Sequence, residues 1–211
     1  MKKIVIINCG GNLLSLTRAI KKYENNFLIT SEINEVENAT HIFLPGVGAF
    51  NKAMDVLEKK NLRITLQNLN YEKVYLMGIC LGMQLLFDSS EENGISKGLG
   101  LIKGKVKKIN LDNEDRKKKL KIPNIGWHKI IINNKSKIFD DTNQNLDFYF
   151  VHSYHAHLKN FDEIKATIKY GSNNLAAVVK RNNIFGCQFH PEKSGSNGLK
   201  IIKNFLELNW F

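Results

Sequence analysis

Residues 76–88 read LMGICLGMQLLFD, an apolar run with a cysteine set between two glycines. The segment before the cysteine, KVYLMGI (73–79), is short and apolar and predicts a buried strand. The segment after it, LGMQLLFDSS (81–90), predicts a helix. A strand, a sharp turn and a helix in immediate succession have the geometry of a nucleophile elbow. Gly78 and Gly82 carry no side chain, so the two elements can cross closely around a strained Cys80. The turn lifts the sulfur out of the core, and the positive end of the helix favours a thiolate there. The Leu81 amide points to where an oxyanion would form. The plain alternative for these five residues is a buried cysteine between two packing glycines.

The elements around the elbow set the fold class. KIVIIN (3–8), FLIT (27–30) and THIFLPG (40–46) predict strands, the last stopped by Pro45-Gly46. Helical spacing runs over 12–24, with Leu13, Leu16, Ile20 and Tyr23 on one face and Asn12 as its N-cap. A second helical stretch runs from Phe50 to Lys60 and on towards Leu69. Alternating strands and helices imply right-handed crossovers, hence an α/β fold with a mainly parallel central sheet flanked by helices. The second half changes character. GLGLIKGKVKKI, WHKIII, DFYFVHSYHAHL, EIKATIKY, LAAVVKR and NIFGCQFHPE read as strands joined by turns, with Asn182-Asn183 at a hairpin tip. They predict an antiparallel lobe, and NGLKIIKNFLEL (197–208) predicts a closing helix. No repeat or linker divides the chain, so one domain over 1–211 is expected.

Composition narrows the function classes. With 43% hydrophobic residues the chain can bury a core without staples. Cys9, Cys80 and Cys187 are too scattered for a disulfide framework or a Cys-x-x-Cys metal site, which points to a reducing, cytoplasmic setting. The apolar part of MKKIVIIN is too short for an export signal, and no stretch approaches the roughly 18 apolar residues of a membrane helix. The net charge of +11 is spread over scattered lysines and reads as compositional habit in preference to a nucleic-acid surface. DRKKKLK (115–121), the densest cluster, is expected to be a solvated loop or edge.

A cysteine nucleophile needs a histidine base, and the base needs an orienting acid. FGCQFHPEKS (185–194) offers both: a strand carries His190 to its end, Pro191 stops the ladder, and Glu192 shares the face of His190. In HSYHAH, alternation puts His155 and His157 on one face and His152 on the other, which argues against a three-histidine metal site. His41 and His128 are expected to be structural or surface residues, and Cys187 inert core. Cys9 lies in NCGGN, which lacks the G-x-G-x-x-G of dinucleotide sites.

Together, GICLGMQLLF, FHPEKS and LPGVGAF resemble the class I, triad-type glutamine amidotransferases, a family with a flavodoxin-like fold. PGVGAF, CLGMQLLFDSSEENG, GLGLIKGKV, IPNIGWHKI, YFVHSY and HPEKSGSNGLKIIKNF are more narrowly similar to the glutaminase subunits of imidazole glycerol phosphate synthases. The resemblance implies hydrolysis of glutamine to glutamate and ammonia through a thioester on Cys80, with His190 moving protons and Glu192 orienting it. It implies oxyanion donors at Leu81 and at Val47 or Gly48. It places Gly46, Gln84, Glu92, His152, Ser153 and Tyr154 around the substrate. It implies no cofactor and no metal. It also implies a (β/α)8-barrel synthase as partner, contacted near Asn12, Trp127 and Lys193, that receives the ammonia for histidine biosynthesis. Two segments depart from the family pattern. NCGGNL stands for Asp-Tyr-Gly-x-Gly-Asn-Leu, and PNIGWH for Pro-His-Met-Gly-Trp-Asn. The alternative is therefore a paralogue feeding another synthase, such as a sugar-modifying one in surface polysaccharide synthesis. Two rivals of other classes are a cysteine peptidase of the same fold and a non-enzymatic scaffold.

Overall fold

The computed structural model describes residues 2–9, 13–142 and 146–209. Asn12, expected as an N-cap, lies outside the described residues. Strands β1 (Ile4–Ile7), β2 (Phe27–Thr30), β3 (His41–Leu44) and β4 (Tyr75–Ile79) form the parallel part of an eight-stranded sheet. Their order is β2-β1-β3-β4, and strand Ile184–Cys187 continues it in parallel beside β4. Asn173–Arg181, Ile164–Tyr170 and Ile131–Ile132 then extend the sheet in antiparallel pairings. β1, β3 and β4 are buried at every residue, the pattern of strands covered on both faces. Alternation sorts their side chains. Ile4, Ile6 and Phe43 join one core cluster, and Val5, Ile7, Ile42 and Leu44 join the other. His41 sits in this apolar layer with both ring nitrogens bonded, Nδ1 to Thr40 Oγ1 at 3.0 Å and Nε2 to the Leu208 carbonyl at 3.1 Å.

Several helices differ from expectation. Helix α1 spans Leu14–Lys21, and α2 (Ile33–Glu37) has no counterpart in the sequence reading. The stretch from Phe50 to Leu69 forms two helices, α3 (Phe50–Lys59) and α4 (Leu62–Asn68), because Asn61 takes a left-handed φ of 56° between them. The elbow helix α5 ends early, at Leu81–Leu85. The carbonyls that a further helical turn would have used are taken by a loop: Leu99, Leu101 and Gly100 N–H bond Leu85, Leu86 and Phe87 at 2.8–3.0 Å. Ser89-Ser90 then pairs with Gly104–Lys108. The lysine cluster at 115–121 is partly helix α6 (Asn113–Lys117), opened by a capping box between Asp112 and Asp115. Asp115 is buried and accepts from Ser172 N–H and Oγ, so the segment is docked, not a free loop. Helix α7 (Gly195–Leu206) packs its Ile201 and Phe205 with Leu16 and Ile20 of α1 on one face of the sheet.

DFYFVHSYHAHL is not one strand. It breaks at Ser153 into Asp147–His152, paired with Asn124–Lys129 as a two-stranded ribbon, and Tyr154–Leu158, paired with Gly104–Lys108 in a separate four-stranded sheet. The break matters for function, because the bend brings residues from both sheets to the elbow.

The elbow depends on close backbone crossing. A methyl group added to Gly82 would lie 1.7 Å from the Leu44 carbonyl oxygen, and one on Gly78 would lie 2.6 Å from the Gly82 carbonyl oxygen. Gly82→Ala should therefore cost more than about 3 kcal/mol of stability, since the contact is with backbone that cannot turn away. Gly94→Ala, at φ 100° with open space around it, should cost only about 1–2 kcal/mol. Urea midpoints of the two variants check this, and equal shifts would show that the crossing is not tight.

Candidate active site

Cys80 joins β4 to α5 with φ 54° and ψ −109°. Such a backbone costs on the order of 1–3 kcal/mol and persists only where neighbours hold it. Here its N–H donates to the Cys187 carbonyl at 2.7 Å, and its carbonyl accepts from Gln84 N–H at 3.2 Å. Cys80 opens on a cavity of about 370 Å³ whose lining includes Val47, Gly48, Leu81, His152 and His190. Leu81 is the first residue of α5, so its N–H has no carbonyl one turn back and is available to a ligand. With only five residues, α5 supplies less dipole than the predicted ten-residue helix would have done.

The charge beside Cys80 comes from His190. Its Nδ1 lies 2.7 Å from Glu192 Oε1, with both side chains almost wholly buried. Burial pulls the imidazole down, but hydrogen bonds to the Cys80 side chain and to Glu192 outweigh it and lift His190 to about 10. The second Glu192 oxygen is buried without a hydrogen bond, so among the described residues the imidazolium is the group that balances this carboxylate. Position is fixed by the ribbon. His190 N–H donates to the Tyr149 carbonyl at 2.9 Å, and Ser194 Oγ accepts from Tyr149 N–H while donating to the His190 carbonyl at 2.6 Å. The same strand brings the Val151 carbonyl to 3.8 Å from Cys80 Sγ.

The remaining wall is polar. Gln84 is buried, and its Nε2 donates to the Tyr154 carbonyl at 2.9 Å and to Gln188 Oε1 at 3.1 Å. Gln188 was not singled out from the sequence, yet it is fully buried with Nε2 3.9 Å from Cys80 Sγ. The signal was available: a polar residue in the apolar run IFGCQF, two before His190 and thus on its face. Glu92 accepts from Phe50 N–H at 2.8 Å, tying the first turn of α3 to the cavity rim. His152 is held neutral, with burial dragging it to about 4. Its Nδ1–H donates to the Tyr154 carbonyl at 2.9 Å, which leaves Nε2 to accept from Asn124 Nδ2 at 3.1 Å. Asn124 Oδ1 accepts in turn from His128 Nε2 at 2.7 Å. Asn124 is a second buried residue that sequence reasoning passed over. Ser153 and Tyr154 complete the wall.

Other named residues lie off the cavity. Gly46 packs behind it, where an added methyl would meet Gly82 N and Leu81 Cβ at 3.1 Å. Trp127 is 55% exposed on the outer face of the ribbon, its ring 6.1 Å from that of Tyr149, and Lys193 is exposed just beyond Glu192. Asn12 is outside the described residues. Cys187 is fully buried, which pushes its thiol up, and burial lifts Cys9 to about 11. His155 and His157 face each other with Nε2 atoms 3.0 Å apart, away from the cavity.

The two inner histidines should titrate far apart. Imidazole NMR should find His190 protonated at pH 8 and His152 neutral at pH 6. Glu192→Gln should lower the His190 midpoint by roughly 1–3 units, through loss of the adjacent charge. Because the folded value lies above the unfolded 6.5, the stability His190 contributes is complete below about pH 6.5 and is lost as pH rises through about 10. An unchanged midpoint in the variant would break the assigned pairing.

Comparison with known proteins gives the family. A family model described as glutamine amidotransferase class-I matches residues 5–208. The imidazole glycerol phosphate synthase subunit HisH of Pyrococcus furiosus is 43% identical over 209 residues, covering 99% of this chain and 100% of that one. The protein of the same name from Prochlorococcus marinus subsp. pastoris is 38% identical over 208 residues, covering 98% of each. A solved structure of a putative GMP synthase protein from Thermoplasma acidophilum aligns with a TM-score of 0.72 at 19% identity, over 98% of this chain and 92% of that one, which speaks to the fold alone. A family model spanning nearly all of the chain, with relatives near 40% identity over their full length, establishes that the chain belongs to the class-I glutamine amidotransferases, among the HisH subunits.

Proposed function

We propose that this chain is the glutaminase subunit of an imidazole glycerol phosphate synthase, and that Cys80, His190 and Glu192 carry the chemistry. The observation that carries the site assignment is the convergence of the Cys80 and His190 side chains on one cavity, with Glu192 bonded behind the imidazole. In this reading the Cys80 thiolate attacks the side-chain amide carbon of glutamine. The tetrahedral oxyanion is met by Leu81 N–H and by an N–H of the Val47-Gly48 segment. Imidazolium at His190 gives its proton to the departing nitrogen, and ammonia leaves a thioester on Cys80. Neutral His190 then takes a proton from water, hydroxide adds to the thioester, and glutamate is released with the thiolate regenerated. Glu192 holds the ring and balances its charge throughout. Gln84, Glu92, Ser153 and Tyr154, with His152 behind them, hold the substrate's polar groups, and Gly46 shapes the floor.

Glycines flank the second oxyanion donor. Gly48 has φ 94° with open space where a methyl group would stand, and Val47 is 60% exposed. That freedom suits a peptide that turns its N–H into the cavity when a partner docks. The partner would be the (β/α)8-barrel synthase subunit, seated on Ile125 and Trp127, exposed apolar residues of the ribbon, with Lys193 at the rim. The departure at PNIGWH weakens this reading less than the letters suggest. Histidine and asparagine have exchanged places relative to the family pattern, and here Asn124 and His128 bond each other. The exchange keeps both residue types in the segment, which supports the histidine-pathway acceptor over a paralogue's.

Cys80→Ser should lower glutamine hydrolysis by at least about 10³-fold with an unchanged circular dichroism spectrum. A diazoketone glutamine analogue should label Cys80 and spare Cys9 and Cys187, as mass spectrometry would read; label mainly on Cys187 would overturn the assignment. Mixing the chain with the barrel synthase of the same cell should raise glutaminase turnover by roughly 10²–10³-fold, the worth of one oxyanion donor. A competent triad with no binding and no stimulation would favour a different acceptor.

A further inference from the structure

A second cavity lies at the opposite end of the sheet. It holds about 320 Å³ and is lined by Lys135, Ser136, Lys137, Lys165, Lys180 and Asn183, with Tyr75 and Phe185 in its wall. Tyr75 begins the strand that Cys80 terminates, so about 16 Å of β4 separates the two sites. Among the described residues, four lysines line this cavity and no carboxylate does. Among the described residues none of the four is paired with an acid, although other lysines of the chain are. Lys165 spends one donor on the Asp162 carbonyl, at 2.6 Å. Lys180 lies across the antiparallel pair from Phe185, its Nζ 5.4 Å from the ring centre.

Uncompensated cations are ordinarily dispersed by rotation into solvent; Lys135 and Lys137 are exposed, but Lys165 and Lys180 are half-buried, which restricts that escape for them. Burial and the neighbouring Lys165 both push the Lys180 ammonium down, which marks a local excess of positive charge. Independently, Ser136 Oγ is a buried polar atom without a hydrogen-bond partner. A buried hydroxyl left unsatisfied costs about 1–3 kcal/mol unless something fills the site. An orphaned donor beside four ammonium groups matches one class of ligand: a compact anion with several acceptor oxygens. We infer that this cavity binds the phosphate or pyrophosphate group of a small molecule, a site separate from glutamine hydrolysis. A cavity of about 320 Å³ suits one phosphorylated molecule better than the extended track that a nucleic-acid backbone needs.

The test is calorimetric titration of the full chain with inorganic pyrophosphate, at constant ionic strength set by chloride. Saturable binding of one equivalent is expected. Lys165→Gln and Lys180→Gln together should weaken it about 100-fold, roughly tenfold for each charge-assisted bond. Ser136→Ala, which keeps all four charges and fills no space, should weaken it severalfold. Lys21→Gln with Lys52→Gln removes the same net charge elsewhere and should leave the affinity unchanged. Absence of saturable binding, or equal losses in the two double variants, would overturn the site. So would tighter binding of single-stranded RNA that the control pair also weakens.

Discussion

The closeness of two backbones at Gly82 underlies much else in this molecule. Helix α5 presses against the end of β3 so tightly that a single carbon on Gly82 would overlap the Leu44 carbonyl. That contact sets where α5 starts, and the start of α5 forces Cys80 into its left-handed backbone. Strain at the cysteine is therefore not local. It is held by the parallel sheet on one side and by the Cys187 carbonyl on the next strand, and it is released only if these separate.

Around that fixed sulfur the protein builds two electrostatic environments from the same side chain. His190 is buried beside a carboxylate and a thiol and is held protonated, whereas His152 is buried beside an amide and a carbonyl and is held neutral. Burial alone acts on both in the same direction, so the difference comes from partners. The neutral ring has a definite tautomer because Tyr154 offers only an acceptor. A second cation facing His190 would compete for the charge of Glu192.

Much of this was legible in the sequence because it depends on neighbours in the chain. Cys80 between Gly78 and Gly82, the alternation that pairs His190 with Glu192, and the apolar runs of β1, β3 and β4 are local patterns. The fold class follows from their order, and the comparisons agree with it. What escaped depends on distant partners. Helix α5 stops because residues 99–101 take its carbonyls, and no feature of LGMQLLFDSS announces that. DFYFVHSYHAHL alternates without a visible break, yet Ser153 sends its halves to different sheets. The lysine-rich segment looked solvated because the docking of Asp115 on Ser172 spans 57 residues. Gln188 reads as a residue inside a strand, and Asn124 as a departure from the family pattern; neither shows its buried partners in the sequence.

The two-stranded ribbon gives the active site a lifetime of its own. It belongs to neither of the larger sheets, and it reaches the site through main-chain bonds from Tyr149 to His190 and through the Val151 carbonyl beside Cys80. Small sheets exchange their amides through local opening well before the core melts. His190 itself follows the strand Ile184–Cys187 of the main sheet, so an opening of the ribbon would free its N–H from the Tyr149 carbonyl and leave the base less firmly aimed at Cys80. What opposes such an opening is Phe148 and Phe150, which anchor the ribbon in the main core. Heat or denaturant should silence a molecule that still looks folded to far-ultraviolet dichroism, and whatever covers the outer face of the ribbon lengthens the fraction of time that the site exists.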